Sequence, residues 1–237
     1  MNEVFDSRLK LLDEAQNFTN WIYSQYKPYI QGNILELSSG IGTYSSKLVK
    51  DFQKNEITLT EFLEDYVEKL RDRFQNDNVR CLKLDMNDSI DYEKLGYDNF
   101  DTIICSNVLE HIEKDEFAFK QCNKLLKKNG KLLLIVPQNP DLYGLQDKEL
   151  GHFRRYTKDE IMTKAKDANF KILKIRNFNA VGVLGWKLNK RSNRSKNPAT
   201  LMKLFNILIP IVKLFDDTIT SKLIGLSFFV VLKKHSN

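Results

Sequence analysis

Between Ile34 and Ser46 the chain reads ILELSSGIGTYSS: an apolar run ends in Glu36, a Ser38-Ser39-Gly40-Ile41-Gly42 turn follows, and a helix opens behind it. Glycine reaches positive φ and lets a ligand approach the main chain without a Cβ in the way. The helix start offers unpaired N–H groups to a carboxylate or phosphate. Polar groups recur at the ends of later apolar runs, as Glu61, Asp85 and the pair Ser106-Asn107. His111 lies in VLEHI and His152 in GHFRRY. An imidazole titrating near neutrality can take a proton from an attacking hydroxyl. Arg154 and Arg155, with Tyr156, are suited to holding a substrate carboxylate or phosphate.

The elements that position these groups alternate. Strands are expected at Ile34 to Leu37, Ile57 to Thr60, Val79 to Leu84, Thr102 to Cys105 and Lys131 to Val136. Helices are expected at Tyr44 to Phe52, Asp65 to Phe74 and Lys114 to Lys127. Asn129-Gly130 reads as the C-cap of the last of these. A capping box at Thr157 to Glu160 starts a helix that Asn169 stops, followed by strands at Phe170 to Phe178 and Leu226 to Leu232. Apolar positions at three- and four-residue spacing over residues 5 to 27 mark one or two amphipathic N-terminal helices. Strands separated by helices give an α/β fold, a doubly wound, seven-stranded, mostly parallel sheet with an antiparallel last strand. Ligands of such sheets bind beyond the carboxyl ends of the strands. Glu36, Glu61, Asp85, Ser106 and Asn107 all fall at that edge.

Glu61 follows the turn by about 20 residues, the spacing at which a carboxylate takes both ribose hydroxyls of a nucleoside. Asp85 adds an acceptor suited to the exocyclic amine of adenine. Three acids around one nucleoside repel a pyrophosphate and favour a cofactor that carries positive charge. S-adenosylmethionine, with sulfonium and ammonium groups, meets that demand.

The ordered pieces ILELSSGIG, TLTEF, KLDMND, CSNVLEHI, LLKKNGKLLLIVPQNP and GHFRRYTKDEI make the chain resemble the class I S-adenosylmethionine-dependent methyltransferases, over roughly residues 17 to 178 and the last strand. The resemblance implies that Glu36 and the backbone of Ser38 to Gly42, including Gly40, hold the methionine end. It implies Glu61, beside Phe62, for the ribose, Asp85 and the Met86 backbone for adenine, and Ser106-Asn107 for the cofactor floor. The family's usual first turn glycine is Ser38 here, where a serine with negative φ is expected to serve. A nicotinamide-binding domain would use the same turn and Glu61, but Ser45 replaces the third glycine of that fingerprint and Asp85 has no duty in it.

Other roles stay open. His111 orients cofactor or substrate, or packs its loop. His152 acts as catalytic base, binds substrate with the arginines, or pairs with Glu149, Asp159 or Glu160. Tyr23 and Tyr26 close over the cofactor or, as the favoured reading, pack on the sheet.

At 237 residues the chain suits one domain: a helical cap over 1–32, a core over 33–178 and 223–235, and an insertion over 179–222. Cys81, Cys105 and Cys122 have no C-x-x-C spacing, so neither disulfides nor a metal site are expected, and a reduced, cytoplasmic protein is. The N-terminus lacks a signal-peptide pattern. Within the insertion, residues 199–215 form a mostly apolar helix with one stripe of Lys203, Asn206, Pro210 and Lys213, and Pro210 is expected to kink or split it. Lys187, Lys190, Arg191, Arg194, Lys196, Lys203 and Lys213 bring seven cations and no acid to the stretch between Trp186 and Phe215, against a whole-chain net charge of +6. That segment suits a substrate lid that also docks peripherally on the anionic inner face of a membrane. The competing class is an RNA- or partner-binding module, which lacks aromatic residues interleaved with the cations between Lys187 and Lys196. The expected activity is methyl transfer to an oxygen of a small-molecule or glycolipid-like acceptor. A nucleic-acid acceptor is disfavoured because Ser106-Asn107-Val108-Leu109 replaces an Asn/Asp-Pro-Pro-Tyr segment.

Overall fold

The structure, a computed structural model, describes residues 3–76, 78–189, 198–218 and 223–235. Seven strands form one sheet in the order β3-β2-β1-β4-β5-β7-β6. They are β1 (Ile34–Leu37), β2 (Ile57–Glu61), β3 (Val79–Lys83), β4 (Phe100–Ser106), β5 (Leu126–Pro137), β6 (Phe170–Phe178) and β7 (Ser227–Lys234). The first five pair in parallel, and β7 runs antiparallel between β5 and β6. The strand order reverses between β1 and β4, which is where an open sheet presents its ligand crevice.

Successive strand residues face opposite sides of a sheet, and the core divides accordingly. Leu35, Ile103, Leu132 and Leu134 pack on one face, and Ile34, Ile104, Leu133 and Ile135 pack on the other. The N-terminal segment breaks at Ala15 into α1 (Glu3–Glu14) and α2 (Gln16–Tyr26). Helices α3 (Ser45–Asp51), α4 (Glu64–Arg73), α6 (Asp115–Leu125) and α8 (Lys158–Asp167) are the expected crossovers. A helix that periodicity did not mark, α5 (Ser89–Leu95), is started by Asp88, whose carboxylate accepts from the Ile90 N–H at 2.9 Å.

Two expectations are corrected. Helix α6 stops at Leu125, so Asn129-Gly130 is no helix cap. Asn129 instead takes the left-handed conformation, φ 66°, within an irregular start of β5 whose register with β4 shifts between Phe100 and Thr102. Of the kink or split expected at Pro210, the split is absent, because α10 (Pro198–Thr218) is continuous. Asn206 turns inward, accepting from the Phe18 N–H at 3.0 Å, and the apolar side chains of Leu204, Ile207, Ile211 and Leu214 are exposed.

The insertion contributes α9 (Ala180–Asn189) and α10. Buried Asp216, near the end of α10, accepts from the N–H groups of Asn179 and Ala180 at 3.2 and 2.8 Å and so ties the helix to the exit of β6. Lys190, Arg191, Arg194 and Lys196 lie outside the described residues. Among the described residues, no helix is long and apolar enough to cross a membrane.

Candidate active site

Strand β1 ends under a backbone reversal that requires left-handed geometry. Ser38 has φ 51°, not the negative value expected of a serine there, and Gly40 and Gly42 follow at 58° and 86°. The Ser39 N–H donates to the Thr60 carbonyl at 2.8 Å, holding the turn against β2. Glu61, at the end of β2, accepts from the Gly40 N–H at 3.0 Å and the Phe62 N–H at 2.5 Å. The Leu63 backbone also bonds this carboxylate, so three of its roughly four acceptor sites are taken and one is left for a hydroxyl. Glu36 is buried and accepts from the Ser45 hydroxyl. Burial pushes its carboxyl up to about 7, with the bonds from Ser45 and Ser39 opposing that rise. Glu61 is also pushed up by burial, against the pull of its backbone donors.

One cavity of about 1160 Å³ joins Glu36, Ser38, Gly40, Glu61, Phe62, Asp85, Met86, Ser106, Asn107, His111, His152 and Arg155. This exceeds the roughly 300–1,000 Å³ common for a small-molecule site, which leaves room for a nucleoside cofactor and a second reactant. Helix α1 roofs it: Leu9 lies over Gly40, Asp13 accepts from the Thr43 hydroxyl at 2.9 Å, and Asp6 accepts from Tyr66. The far wall is apolar, with Val181 and Leu184 from α9 and Leu201, Phe205 and Leu208 from α10.

At the junction of the two ends sits a corner built by residues 109–111, the short helix α7 (Leu145–Glu149) and the loop after it to residue 155. His152 Nδ1 lies 3.0 Å from Asp147 Oδ1. Arg155 Nε donates to that oxygen at 2.9 Å, while the Gly144 N–H and Trp186 Nε1 donate to Oδ2 at 3.0 and 3.3 Å. Burial raises the Asp147 carboxyl, but His152 and Arg155 outweigh it and hold the group below its ordinary range. Arg155 also stacks on the Trp186 ring, 4.5 Å from its centroid. The His111 and His152 rings meet edge to face at 4.7 Å. Burial, aided by His152, pushes His111 down to about 4, so that ring is neutral at pH 7. Glu110 is fully buried, and burial carries its carboxyl up to about 8.

Several expected site residues lie elsewhere. Gly42 does not line the cavity, because its Cα faces α4, where an added Cβ would stand 2.7 Å from Phe74 Cε2. Arg154 and Tyr156 do not reach the cavity either. Both bind Asp115 at 2.8 Å and so lock the loop to α6. Arg155 reaches it but is committed to Asp147. His152 pairs with Asp147 rather than Glu149, Asp159 or Glu160. Tyr23 bonds Asp51 at 3.0 Å and Tyr26 is buried against Phe229, so both pack rather than cover the cavity.

A family model described as a methyltransferase domain matches residues 35–132, the stretch that supplies the turn, Glu61, Asp85 and the His111 corner. Residues 35–132 thus match a methyltransferase domain, and the chain has the fold of S-adenosylmethionine-dependent methyltransferases. The chain is 23% identical over 185 residues to a malonyl-acyl-carrier-protein O-methyltransferase of Ilyobacter polytropus, covering 73% of this chain and 67% of that protein. It is 26% identical over 141 residues to an uncharacterized methyltransferase-like protein of Schizosaccharomyces pombe, covering 60% of this chain and about half, 52%, of the relative. A SAM-dependent methyltransferase from Archaeoglobus fulgidus shares the fold with a TM-score of 0.59 at 17% identity, over 91% of this chain and 94% of that one.

The residues of this chain suit S-adenosylmethionine. Glu36 and Glu61 bring buried carboxylates to a cationic ligand, and Tyr44 Oη is buried at the cavity wall without a hydrogen-bond partner. Sequence reasoning left Glu110, Asp147 and Trp186 without roles. Only the neighbouring Glu110-His111 pair carried a signal for any of them.

Proposed function

We propose that this protein is a class I S-adenosylmethionine-dependent methyltransferase that moves a methyl group to an oxygen of a small acceptor that carries an apolar portion. The observation that carries the reading is the cavity's two-ended character. Buried acids and a backbone turn lie at one end, an apolar wall from α9 and α10 at the other, and the His152–Asp147 pair between them. The O-methyltransferase named among the relatives supports an oxygen acceptor.

In this reading Glu36 and the Ser38–Gly40 backbone hold the methionine end, Glu61 with Phe62 the ribose, Asp85 and Met86 the adenine, and Ser106-Asn107 the floor. The cofactor supplies an electrophilic methyl on a sulfonium. The protein aligns the acceptor oxygen for in-line displacement and excludes water, and positioning of this kind supplies much of such a rate enhancement. Asp147 holds His152 with Nδ1 occupied, which leaves Nε2 to take the acceptor's hydroxyl proton. Calorimetry with S-adenosylhomocysteine tests the cofactor assignment, and labelled-methyl transfer to a panel of sugars, lipid-linked sugars and small acids tests the acceptor. No S-adenosylhomocysteine binding by the intact protein would overturn the reading.

The exposed side of α10 favours a further role for the insertion. Ile207, Ile211 and Leu214 are 69%, 60% and 65% exposed, with Lys203 and Lys213 on the same helix. Such a surface supports peripheral docking on an anionic membrane, from which an acceptor with a lipid portion would enter beside Leu201 and Leu208. Flotation with anionic vesicles at low salt tests this, and an absence of binding sinks it.

A further inference from the structure

We propose that Glu110, His111 and His152 form a binding site for one divalent first-row transition-metal ion at the acceptor end of the cavity. The inference rests on the methyl-transfer reading and refines how that site activates the acceptor oxygen.

The geometry has three parts. One ligand atom from each residue lies within 4.8 Å of the ligand atoms of the other two. All three residues line the cavity, so an ion among them would keep open positions for an exogenous ligand. Nitrogen and oxygen ligands sit about 2.0–2.2 Å from zinc, so the three atoms would close by about an ångström on loading, within the reach of side-chain rotation.

The second observation is the state of Glu110. Its side chain is 0% exposed, and neither carboxylate oxygen accepts a hydrogen bond from another residue. A buried carboxylate without donors is costly to maintain unless a cation or a proton completes it. Arg155 acts on Glu110 electrostatically, but its guanidinium is spent on Asp147 and the Gln138 carbonyl, at 2.9 and 3.2 Å.

The third is the outer layer. Ligating histidines characteristically donate their other ring N–H to a carboxylate or a backbone carbonyl, which fixes the tautomer. His152 presents Nδ1 to Asp147 at 3.0 Å, and the His111 ring hydrogen-bonds the Gly151 backbone. Asp147 is itself held by Gly144, Arg155 and Trp186. Two imidazoles and one carboxylate with open positions suit divalent iron, zinc, manganese or cobalt rather than calcium or magnesium.

With the ion in place His152 is a ligand, not the base. The acceptor's oxygen coordinates the ion and its proton leaves to water. An oxygen lone pair then forms the new bond to the methyl carbon, and the carbon–sulfur bond breaks with its electron pair going to sulfur.

The test is a titration of EDTA-stripped full-length protein with cobalt(II), followed by its visible absorption, and with zinc(II) by calorimetry. S-adenosylhomocysteine binding is measured on the same samples. Saturable uptake of one ion per chain is expected. Glu110→Gln and His152→Ala should each abolish it while keeping S-adenosylhomocysteine affinity, and Asp147→Asn should weaken it by about 10–100-fold. No saturable uptake by wild type, or unchanged uptake in Glu110→Gln, overturns the metal site. Should His152→Ala fail to fold, the near-isosteric Glu110→Gln decides the question. Loss of S-adenosylhomocysteine binding in wild type would instead remove the methyltransferase reading, so the two failures are distinguishable.

Discussion

The Asp147 carboxylate meets His152 Nδ1 at 3.0 Å with no solvent at either oxygen. Because Asp147 is ionised, Nδ1 carries the proton and donates. The tautomer is thereby fixed and Nε2 is the nitrogen left for chemistry, whether it takes a proton or holds an ion.

Asp147 also neutralises Arg155, whose side chain is 1% exposed. Asp147→Asn keeps the shape but leaves that guanidinium buried without its counter-ion. Breaking one member of a buried pair costs about 3–5 kcal/mol. At the sensitivity of a chain of this length, calorimetric melting should fall by roughly 6–20 °C. Arg155→Met, which removes the stranded charge as well as the pair, should recover part of that loss in the double variant.

Cofactor affinity should depend on pH through Glu36. Its carboxyl, raised to about 7 by burial, is largely protonated at pH 6. A cationic ligand favours the ionised form, so binding below 7 must expel a proton. Affinity for S-adenosylhomocysteine, which retains the ammonium group, should rise by up to about tenfold per unit as pH climbs to 7, then level off. Without ligand the sign reverses: an acid raised in the folded state subtracts stability as pH rises from about 4.5 to 7. Glu36→Gln should flatten both dependences in calorimetry and thermal melts.

These dependences trace to residues that the sequence exposed unevenly. Glu36, Glu61 and Asp85 were legible because each terminates an apolar run, and the alternation of strand and helix puts such ends on one edge. Glu110 was not, because its meaning is burial without donors, and burial within VLEHI depends on the loop carrying Phe153, whose N–H donates to the Glu110 carbonyl at 2.7 Å. Asp147 joins His152 from α7, a helix of five residues that is too short to show a period. Asn206 was legible only as one polar position on α10, because its partner, the Phe18 N–H in the first turn of α2, reaches it through a tertiary contact.

The exposed apolar face of α10 separates docking from folding. Ile207 and Ile211 touch solvent over most of their surface, so Ile207→Glu with Ile211→Glu should shift stability by no more than about 0.5 kcal/mol each. The same pair removes apolar insertion and adds charge that an anionic surface repels. Vesicle flotation should therefore drop to background while S-adenosylhomocysteine affinity holds. Retained flotation would assign any membrane contact elsewhere.

The two turn glycines should fail differently when given a methyl group. Gly42 combines φ 86° with a Cβ position 2.7 Å from Phe74 Cε2 and 3.2 Å from Leu70 Cδ2, so Gly42→Ala adds backbone strain to overpacking of α4. Left-handed strain of roughly 1–2 kcal/mol and an overpacking cost of about 1–3 kcal/mol put the loss at about 2–5 kcal/mol in a denaturant midpoint, with cofactor contacts left in place. Gly40 has φ 58°, and its nearest neighbour would be Leu9 Cδ2 at 3.4 Å, so Gly40→Ala carries the strain alone. Its new methyl, however, stands in the cavity beside the N–H that Glu61 accepts. Gly40→Ala should thus weaken S-adenosylhomocysteine binding with a small loss of stability, and Gly42→Ala should do the reverse. Equal effects of the two on binding would show that Gly42 also meets the cofactor, against its placement under α4.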